Sequence, residues 1–183
     1  MVKRVLVPLA PGFEEIEAVT VIDVLRRAGA EVVTAGTQPG PIEASRGVKV
    51  IPDKTLDEVR PEEFEMIVLP GGGKGVENLQ RHPRFQAIVR EFFAKDKQVG
   101  AICAAPSLLA AAGLICGKSV TSHPSVKQAV AKTALYKEER VVTDGKLVTS
   151  RGPGTAMEFA LKLAEILAGP EKVSELKAAM LAK

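Results

Sequence analysis

Short strand-like runs alternate with longer segments of helical periodicity along the whole chain of 183 residues. The runs VLVPLA, EVVTAG and EMIVLP consist mostly of apolar or β-branched residues, which is typical of strands covered by helices on both faces. In the segment 83–95, by contrast, apolar residues recur at helical spacing. This alternation predicts an α/β fold in which a doubly wound, mostly parallel sheet is sandwiched between helices.

The predicted elements follow from this alternation and from the glycines and prolines at their ends. The predicted strands are KRVLVPLA, EVVTAG, RGVKVIPDKTL, FEMIVLP, KQVGAIC and KSVTS, followed by a hairpin in RVVTDGKLVTS with Asp144 and Gly145 in its turn. The predicted helices run from the turn PGF up to Gly29, over 83–95, from APSLL up to Gly113, and through PSVKQAVA, GTAMEFALKLAEILAG and PEKVSELKAAMLA, the last with Pro170 near its first position. No linker-like stretch or internal repeat interrupts the series, so a single domain over residues 1–183 is expected.

Charge and composition exclude several classes of function. The 25 basic and 22 acidic residues are interspersed, and aromatic residues make up only 4% of the chain, so no specific nucleic-acid partner is expected. No apolar run approaches the roughly 18 residues of a membrane span. The opening MVKRVLVPLAPG lacks the apolar core and cleavage site of a signal peptide, and we therefore expect a reducing, cytoplasmic location without a membrane partner.

Cys103 lies in QVGAICAAP, at the carboxyl end of a predicted strand and directly before a predicted helix. Sites of parallel sheets form at the carboxyl ends of strands, and the glycines 71–73 end another strand in the same way. A thiol at a helix N-terminus faces unpaired backbone N–H groups, which favour the thiolate and lower its pKa. The sequence therefore predicts a reactive thiol. The alternative is a small buried cysteine with a structural role.

Three carboxylates open the first predicted helix. Glu14 and Glu15 are interpreted as ordinary first-turn acids that complement the helix dipole. Glu17 is surrounded in sequence by apolar residues, which favours a buried position and a raised pKa. A carboxyl of that kind can donate a hydrogen bond to a thiolate or move protons for it.

The chain has two histidines, and any Cys–His pair must use one of them. His82 precedes a helix and is expected to be an exposed loop residue, whereas His123 follows a short strand at a carboxyl end and is the better partner for a nucleophile. The glycine run PGGGKGVENL has neither P-loop nor dinucleotide-binding spacing. No His, Cys and carboxylate cluster has the spacing of a metal site, so no metal is expected.

The motifs APGFEEIEAVTVIDVLRRAG, VLPGG, AICAAP, VTSHP and LVTSRGPGTAMEFAL closely resemble, in the same order, those of the ThiJ/PfpI superfamily and of its Parkinson-disease-associated deglycase clade. The resemblance extends over nearly the whole chain. It implies a flavodoxin-like α/β sandwich, a homodimer that forms through the first helix, and a cysteine on a strained turn between strand and helix.

The same resemblance implies roles for individual residues. Cys103 matches the nucleophilic and oxidisable cysteine, Glu17 the carboxyl that hydrogen-bonds it, and His123 a nearby histidine that assists proton transfer. The pocket residues implied are Gly72 and Ala104, whose N–H groups form the oxyanion pocket, and Gly73, Arg46, Arg151 and Pro153 around it. Ala104 stands where protease-type relatives carry a histidine, which disfavours a peptidase.

The implied activity is a glutathione-independent glyoxalase that converts methylglyoxal or glyoxal to a hydroxy acid, together with a deglycase that removes early adducts of these dicarbonyls from proteins. No cofactor is implied. The implied partners are a small dicarbonyl substrate or a glycated protein. The alternative is a redox sensor or chaperone in which Cys103 is oxidised under oxidative stress without significant turnover.

Overall fold

Strands and helices alternate in the computed structural model, which describes residues 2–182. The strands are β1 (Arg4–Leu9), β2 (Glu31–Gly36), β3 (Ile42–Glu43), β4 (Lys49–Val50), β5 (Lys54–Thr55), β6 (Met66–Leu69), β7 (Gln98–Ile102), β8 (Ser119–Val120), β9 (Leu135–Tyr136), β10 (Val141–Asp144) and β11 (Leu147–Ser150). The helices are α1 (Glu15–Arg27), α2 (Gly73–Gln80), α3 (Pro83–Ala94), α4 (Pro106–Ala111), α5 (Lys127–Val130), α6 (Ala156–Ala168) and α7 (Pro170–Met180). The predicted domain of residues 1–183 includes residues 1 and 183, which lie outside the described part.

Seven strands form the central sheet, in the order β10-β11-β7-β6-β1-β2-β5. Every neighbouring pair is parallel except the β10–β11 hairpin, so the prediction of a mostly parallel sheet is confirmed. The chain first runs outward from β1 through β2 to β5, and then returns to the other side of β1 at β6. The carboxyl ends of β1 and β6 therefore flank a topological switch point, where α/β proteins place their sites.

Both faces of the sheet are covered by helices, as the sequence predicts. Successive strand residues point to opposite faces, so Leu6 and Ile67 join one apolar cluster while Val5 and Val68 join the other. Helices α2 to α5 cover the first face and helices α1, α6 and α7 cover the second. The result is the predicted flavodoxin-like sandwich. Cys103 directly follows β7 at the carboxyl end of this strand and packs against both clusters.

The predicted strand RGVKVIPDKTL is wrong, because this segment forms two separate strands of two residues each. β4 pairs with β3 in a small antiparallel sheet, and β5 extends the edge of the central sheet beside β2. The hairpin turn is displaced by one residue from the prediction. Asp144 still pairs with Leu147, so the two turn residues are Gly145 and Lys146.

Helix α2 is absent from the prediction, because two of the first three residues of its sequence GKGVENLQ are glycines of low helix propensity. Packing explains why a glycine stands at position 75. A Cβ atom there would lie 2.7 Å from the backbone nitrogen of Phe13, so only glycine allows the helix to approach the chain after β1. Tertiary packing therefore overrides the local propensity at this point.

No helix within residues 2–182 has both the length and the apolar character required to cross a membrane.

Candidate active site

Cys103 occupies the turn between β7 and α4 with a φ of +64°, a left-handed conformation that side chains other than glycine rarely adopt. Two hydrogen bonds hold this strained residue. Its N–H donates to the carbonyl of Ser150 at 3.0 Å, and its carbonyl accepts from the N–H of His123 at 2.8 Å. Strain of this kind is found at functional sites, where surrounding contacts maintain it.

The glycine turn after β6 packs directly against Cys103. A Cβ atom at Gly71 would lie 2.5 Å from the Cβ atom of Cys103 and 3.1 Å from its Sγ atom. Hydrogen bonds from the N–H groups of Gly72 and Ala104 favour the ionised form of this thiol. The structure thus brings together the cysteine and the two N–H groups that the sequence associates with an oxyanion pocket.

We expect Gly72→Ala to destabilise the protein by about 3 kcal/mol, because it combines backbone strain with a steric clash. Gly72 has a φ of +88°, and a Cβ atom there would lie 2.3 Å from the carbonyl oxygen of Gly12. The matched control is Gly113→Ala, since Gly113 also has a positive φ, of +72°, but open space around it. Urea unfolding of both variants measures the difference, and equal losses of stability would show that the turn relaxes around the added methyl group.

Glu17 lies on α1 and is fully buried, as its apolar neighbours in sequence predict. Its Oε2 atom accepts a hydrogen bond of 2.7 Å from the N–H of Gly71, and its carboxyl contacts the Cys103 thiol. Its Oε1 atom is buried without a hydrogen-bond partner in the described part of the chain. Burial raises the pKa of this carboxyl from the ordinary 4.5 to about 7, which confirms the predicted direction.

The prediction of a lowered pKa for the Cys103 thiol is wrong when the Glu17 carboxyl is ionised. Burial and the charge of the Glu17 carboxylate raise the pKa of Cys103 to about 12. The N–H groups of Gly72 and Ala104 act in the expected direction and lower this pKa, but their effect is smaller. The sequence indicates the donors around the thiol but not the buried carboxyl beside it.

Glu15 has a larger role than the expected interaction with the helix dipole. It is buried in the first turn of α1, and its Oε1 atom accepts a hydrogen bond of 2.8 Å from the N–H of Arg46. The hydroxyl of Ser45 lies 2.8 Å from the Oε2 atoms of both Glu14 and Glu15. These contacts fix the loop after β3 against the start of α1.

A cavity of about 550 Å³ opens between this loop and the glycine turn. Arg46 and Gly73 line it, as expected of residues around a pocket mouth, and Lys74 extends the lining on α2. Cys103 is not among the lining residues. The cavity adjoins the thiol site through Gly72, whose N–H group binds the thiol and whose neighbour Gly73 lines the cavity.

The predicted residues His123, Arg151 and Pro153 lie on the other side of the cysteine turn. The His123 ring hydrogen-bonds to Ser125, and in the described residues no hydrogen bond connects this ring to the Cys103 thiol. Arg151 donates to the backbone carbonyl of Glu138 at 2.8 Å and forms an ion pair of 2.6 Å with its carboxylate. Pro153 opens a short 3₁₀ turn before α6.

His82 is the N-cap residue of α3 and is partly buried rather than exposed, so the expectation of an exposed loop residue is wrong. The roles of two contributors to the site are missing from the prediction. Gly71 positions Glu17, and its place in the glycine run is the only signal for this role. Ser125 hydrogen-bonds to the ring of His123, two residues earlier in the motif HPS, and local hydrogen bonds of serine are common at this spacing.

Within the described residues, no group of three or more His, Cys, Asp and Glu side chains could hold a metal ion.

The chain is similar in sequence to known proteins over nearly its full length. Protein dj-1beta of Drosophila melanogaster is 45% identical over 183 residues, which cover 99% of this chain and 98% of that protein. The glutathione-independent glyoxalase DJR-1.2 of Caenorhabditis elegans is 38% identical over 176 residues, which cover 95% of this chain and 94% of that protein.

The fold is similar to solved structures as well. The crystal structure of Drosophila melanogaster DJ-1beta matches with a TM-score of 0.97 and 44% identity, and the match covers 100% of both chains. The structure of oxidized Toxoplasma gondii DJ-1 matches with a TM-score of 0.93 and 40% identity over 98% of each chain. Residues 3–166 also match the model of the DJ-1/PfpI family. The chain therefore belongs to the DJ-1/PfpI family, to which its motifs point.

Proposed function

We propose that this protein is a glyoxalase that converts methylglyoxal and glyoxal to hydroxy acids with Cys103 as its nucleophile and without glutathione or any other cofactor. The observation that carries the proposal is the contact of the Cys103 thiol with the buried Glu17 carboxyl and with the N–H groups of Gly72 and Ala104. A relative that is 38% identical is named a glutathione-independent glyoxalase, which supports the same class of activity.

At neutral pH the thiolate forms when the Cys103 thiol transfers its proton to the Glu17 carboxylate. Because the pKa of Glu17 is about 7, its carboxyl can hold a proton there. Burial is the largest cause of the high Cys103 pKa, and the charge of Glu17 comes next. A protonated Glu17 no longer repels a thiolate and can donate a hydrogen bond to it, so this second cause disappears. The reactive form of the site is therefore the thiolate beside the neutral carboxyl.

The first step is attack of the Cys103 thiolate on the aldehyde carbon, C1, of methylglyoxal. The new C–S bond forms as the carbonyl π pair moves to oxygen, which the N–H groups of Gly72 and Ala104 stabilise. Glu17 then gives its proton to this oxygen. The product is a hemithioacetal on the protein's own cysteine, which is why glutathione is not required.

The remaining steps move a proton and add water. The Glu17 carboxylate takes the proton from C1, the C1–H electron pair forms a C1–C2 double bond, and the ketone π pair moves to the C2 oxygen, which gives an enediol-like species. Glu17 then returns the proton to C2 while the C1 hydroxyl proton passes to the C2 oxygen, and the resulting thioester has C1 oxidised and C2 reduced within the same molecule. Water hydrolyses the thioester, so methylglyoxal and one water yield lactate and the free thiol.

Conversion of methylglyoxal to lactate in glutathione-free buffer tests the proposal. We expect lactate to form in proportion to protein concentration, above the rate of heat-inactivated protein. Absence of lactate formation, combined with selective oxidation of Cys103 over Cys116 by mild peroxide, would instead favour a redox sensor. The similarity to a DJ-1 whose structure was determined in an oxidized form supports that second candidate.

The proposed deglycase activity uses the same attack on an early dicarbonyl adduct of a protein. Free methylglyoxal is in equilibrium with such adducts, so its removal alone lowers their amount. Purified adducts that are separated from free methylglyoxal before the protein is added distinguish direct cleavage from this indirect effect. The proposal places the protein in a reducing, cytoplasmic environment, where both free cysteines stay reduced.

The proposal includes a homodimer that forms through α1. Ile16 and Val19 are 54% and 47% exposed on the helix that carries the buried Glu17. We expect Val19→Glu to convert the dimer to monomers in analytical ultracentrifugation, because an unpaired charge is costly in an apolar interface. The control Leu135→Glu, at a residue of β9 that is 59% exposed, should stay dimeric, and a parent protein that sediments as a monomer would contradict the dimer.

A further inference from the structure

The ring of His123 is held at its Nδ1 atom by Ser125. The hydroxyl of Ser125 lies 2.8 Å from Nδ1, and the backbone N–H of Ser125 donates to the same atom at 3.2 Å. A backbone N–H group can only donate, so Nδ1 must accept and carries no proton. In the neutral ring the proton is therefore on Nε2, which makes Nε2 a donor.

The opposite edge of the ring, with Cδ2 and Nε2, faces Gly152 in the segment after β11. A Cβ atom at Gly152 would lie 3.5 Å from Cδ2 of His123, the carbon bonded to Nε2. Gly152 is two residues after Ser150, which accepts the N–H of Cys103, and the N–H of His123 donates to the Cys103 carbonyl. Backbone hydrogen bonds thus join the cysteine turn both to His123 and to the end of β11, two residues before Gly152.

We propose that Ser125 is a positioning residue that keeps the ring proton of His123 on Nε2, so that His123 serves the reaction as a hydrogen-bond donor rather than as a base. The inference rests on the glyoxalase function proposed above. In the hemithioacetal, Glu17 removes the C1 proton, the C1–H electron pair forms the C1–C2 double bond, and the ketone π pair moves to the C2 oxygen. His123 Nε2–H donates a hydrogen bond to this oxygen throughout and keeps its own proton, as a neutral imidazole does when it polarises a carbonyl.

The first test measures the tautomer directly and does not require turnover. Nitrogen-15 NMR of the histidine-labelled protein should show a protonated, pyrrole-like Nε2 and an unprotonated, pyridine-like Nδ1 for His123. His82 is the only other histidine and serves as an internal reference, with His123→Gln for the assignment. Ser125→Ala should give a mixture of the two tautomers, and Ser125→Thr should restore the Nε2–H form. A proton on Nδ1 in the parent protein, or a tautomer that does not respond to Ser125→Ala, would overturn the proposal.

The second test separates a donor from a base by kinetics with methylglyoxal. A glutamine at position 123 can donate through its amide but cannot act as a base, whereas leucine can do neither. We expect turnover to fall about 100-fold in His123→Leu, the usual effect of removing one donor to a developing oxyanion, but only about 10-fold in His123→Gln. Equal losses in the two variants would identify His123 as a base and contradict the inference.

Ser125→Ala should lower kcat about fivefold with little change in KM, which corresponds to the loss of about one hydrogen bond. A purely structural serine would change neither the ring tautomer nor the ratio of kcat to KM. If the parent protein makes no lactate but the NMR experiment shows the Ser125-dependent tautomer, the glyoxalase proposal fails and the positioning role of Ser125 stands. If lactate forms but the tautomer is independent of Ser125, the glyoxalase proposal stands and the positioning role of Ser125 fails.

Discussion

We expect Cys103→Ala to reduce conversion of methylglyoxal to the background rate, a fall of at least about 1,000-fold, as is usual when a covalent nucleophile is removed. Without Sγ no hemithioacetal can form, and the N–H groups of Gly72 and Ala104 have no bound oxyanion to stabilise. Lactate formation in glutathione-free buffer measures the effect. Full activity of the variant would rule out covalent catalysis by this cysteine.

Two further variants make the result specific to the thiol. Cys103→Ser keeps a side chain of similar size, but its hydroxyl is a much weaker nucleophile, so turnover should fall nearly as far as in Cys103→Ala. Cys116→Ala removes the exposed second cysteine and should leave turnover unchanged. Thermal unfolding of the three variants shows whether each one keeps the fold. A loss of activity in Cys116→Ala would point to thiol oxidation or to an unexpected role of that residue.

The architecture could be predicted from sequence because each central strand is short and almost wholly apolar. β1, β6 and β7 are buried on both faces by helices, and continuous apolar runs are typical of strands with this burial pattern. The two-residue strands β3, β4, β5 and β9 leave no periodic signal of their own. They form where the surrounding chain is already fixed, so the sequence predicts them poorly.

The position of Cys103 could also be predicted, because the rule for parallel sheets concerns local sequence order. Its contact with Glu17 could not, since 86 positions separate the two residues and the contact depends on how the start of α1 packs against the glycine turn after β6. The error in the thiol pKa has the same origin. The N–H groups that lower this pKa are close to Cys103 in sequence or lie in the glycine run. Burial, which raises it most, depends on the whole fold, and the Glu17 carboxylate, which also raises it, is remote in sequence.

Glu17 also predicts how stability depends on pH. Its pKa is about 7 in the folded protein against 4.5 for the unperturbed group, so between these values the folded state binds more protons than the unfolded state. The free energy of unfolding therefore falls as the pH rises through this window. This loss of unfolding free energy is absent below about pH 4.5 and reaches about 3 kcal/mol above pH 7, at ~1.4 kcal/mol per pH unit.

We expect Glu17→Gln to be more stable than the parent protein at pH 8, by up to about 3 kcal/mol, and similar to it at pH 4.5. Glutamine is neutral at all pH values, and its side-chain oxygen can accept the same hydrogen bond from Gly71. Urea unfolding between pH 4.5 and 8 measures the difference. Glu77→Gln makes the same chemical change at an exposed position of α2 and should alter neither the stability nor its slope with pH.

Glu17→Gln should also reduce turnover of methylglyoxal by at least about 100-fold, because an amide cannot take or return the C1 proton. Higher stability together with lower activity would mean that the fold maintains an ionisable group in an unfavourable place for the sake of the reaction. Parallel stability curves for Glu17→Gln and the parent protein would contradict this account, since they would show that burial does not penalise the Glu17 charge. The Cys103 thiol would then lie beside a carboxylate that stays ionised, and transfer of the thiol proton to Glu17 could not provide the nucleophilic thiolate.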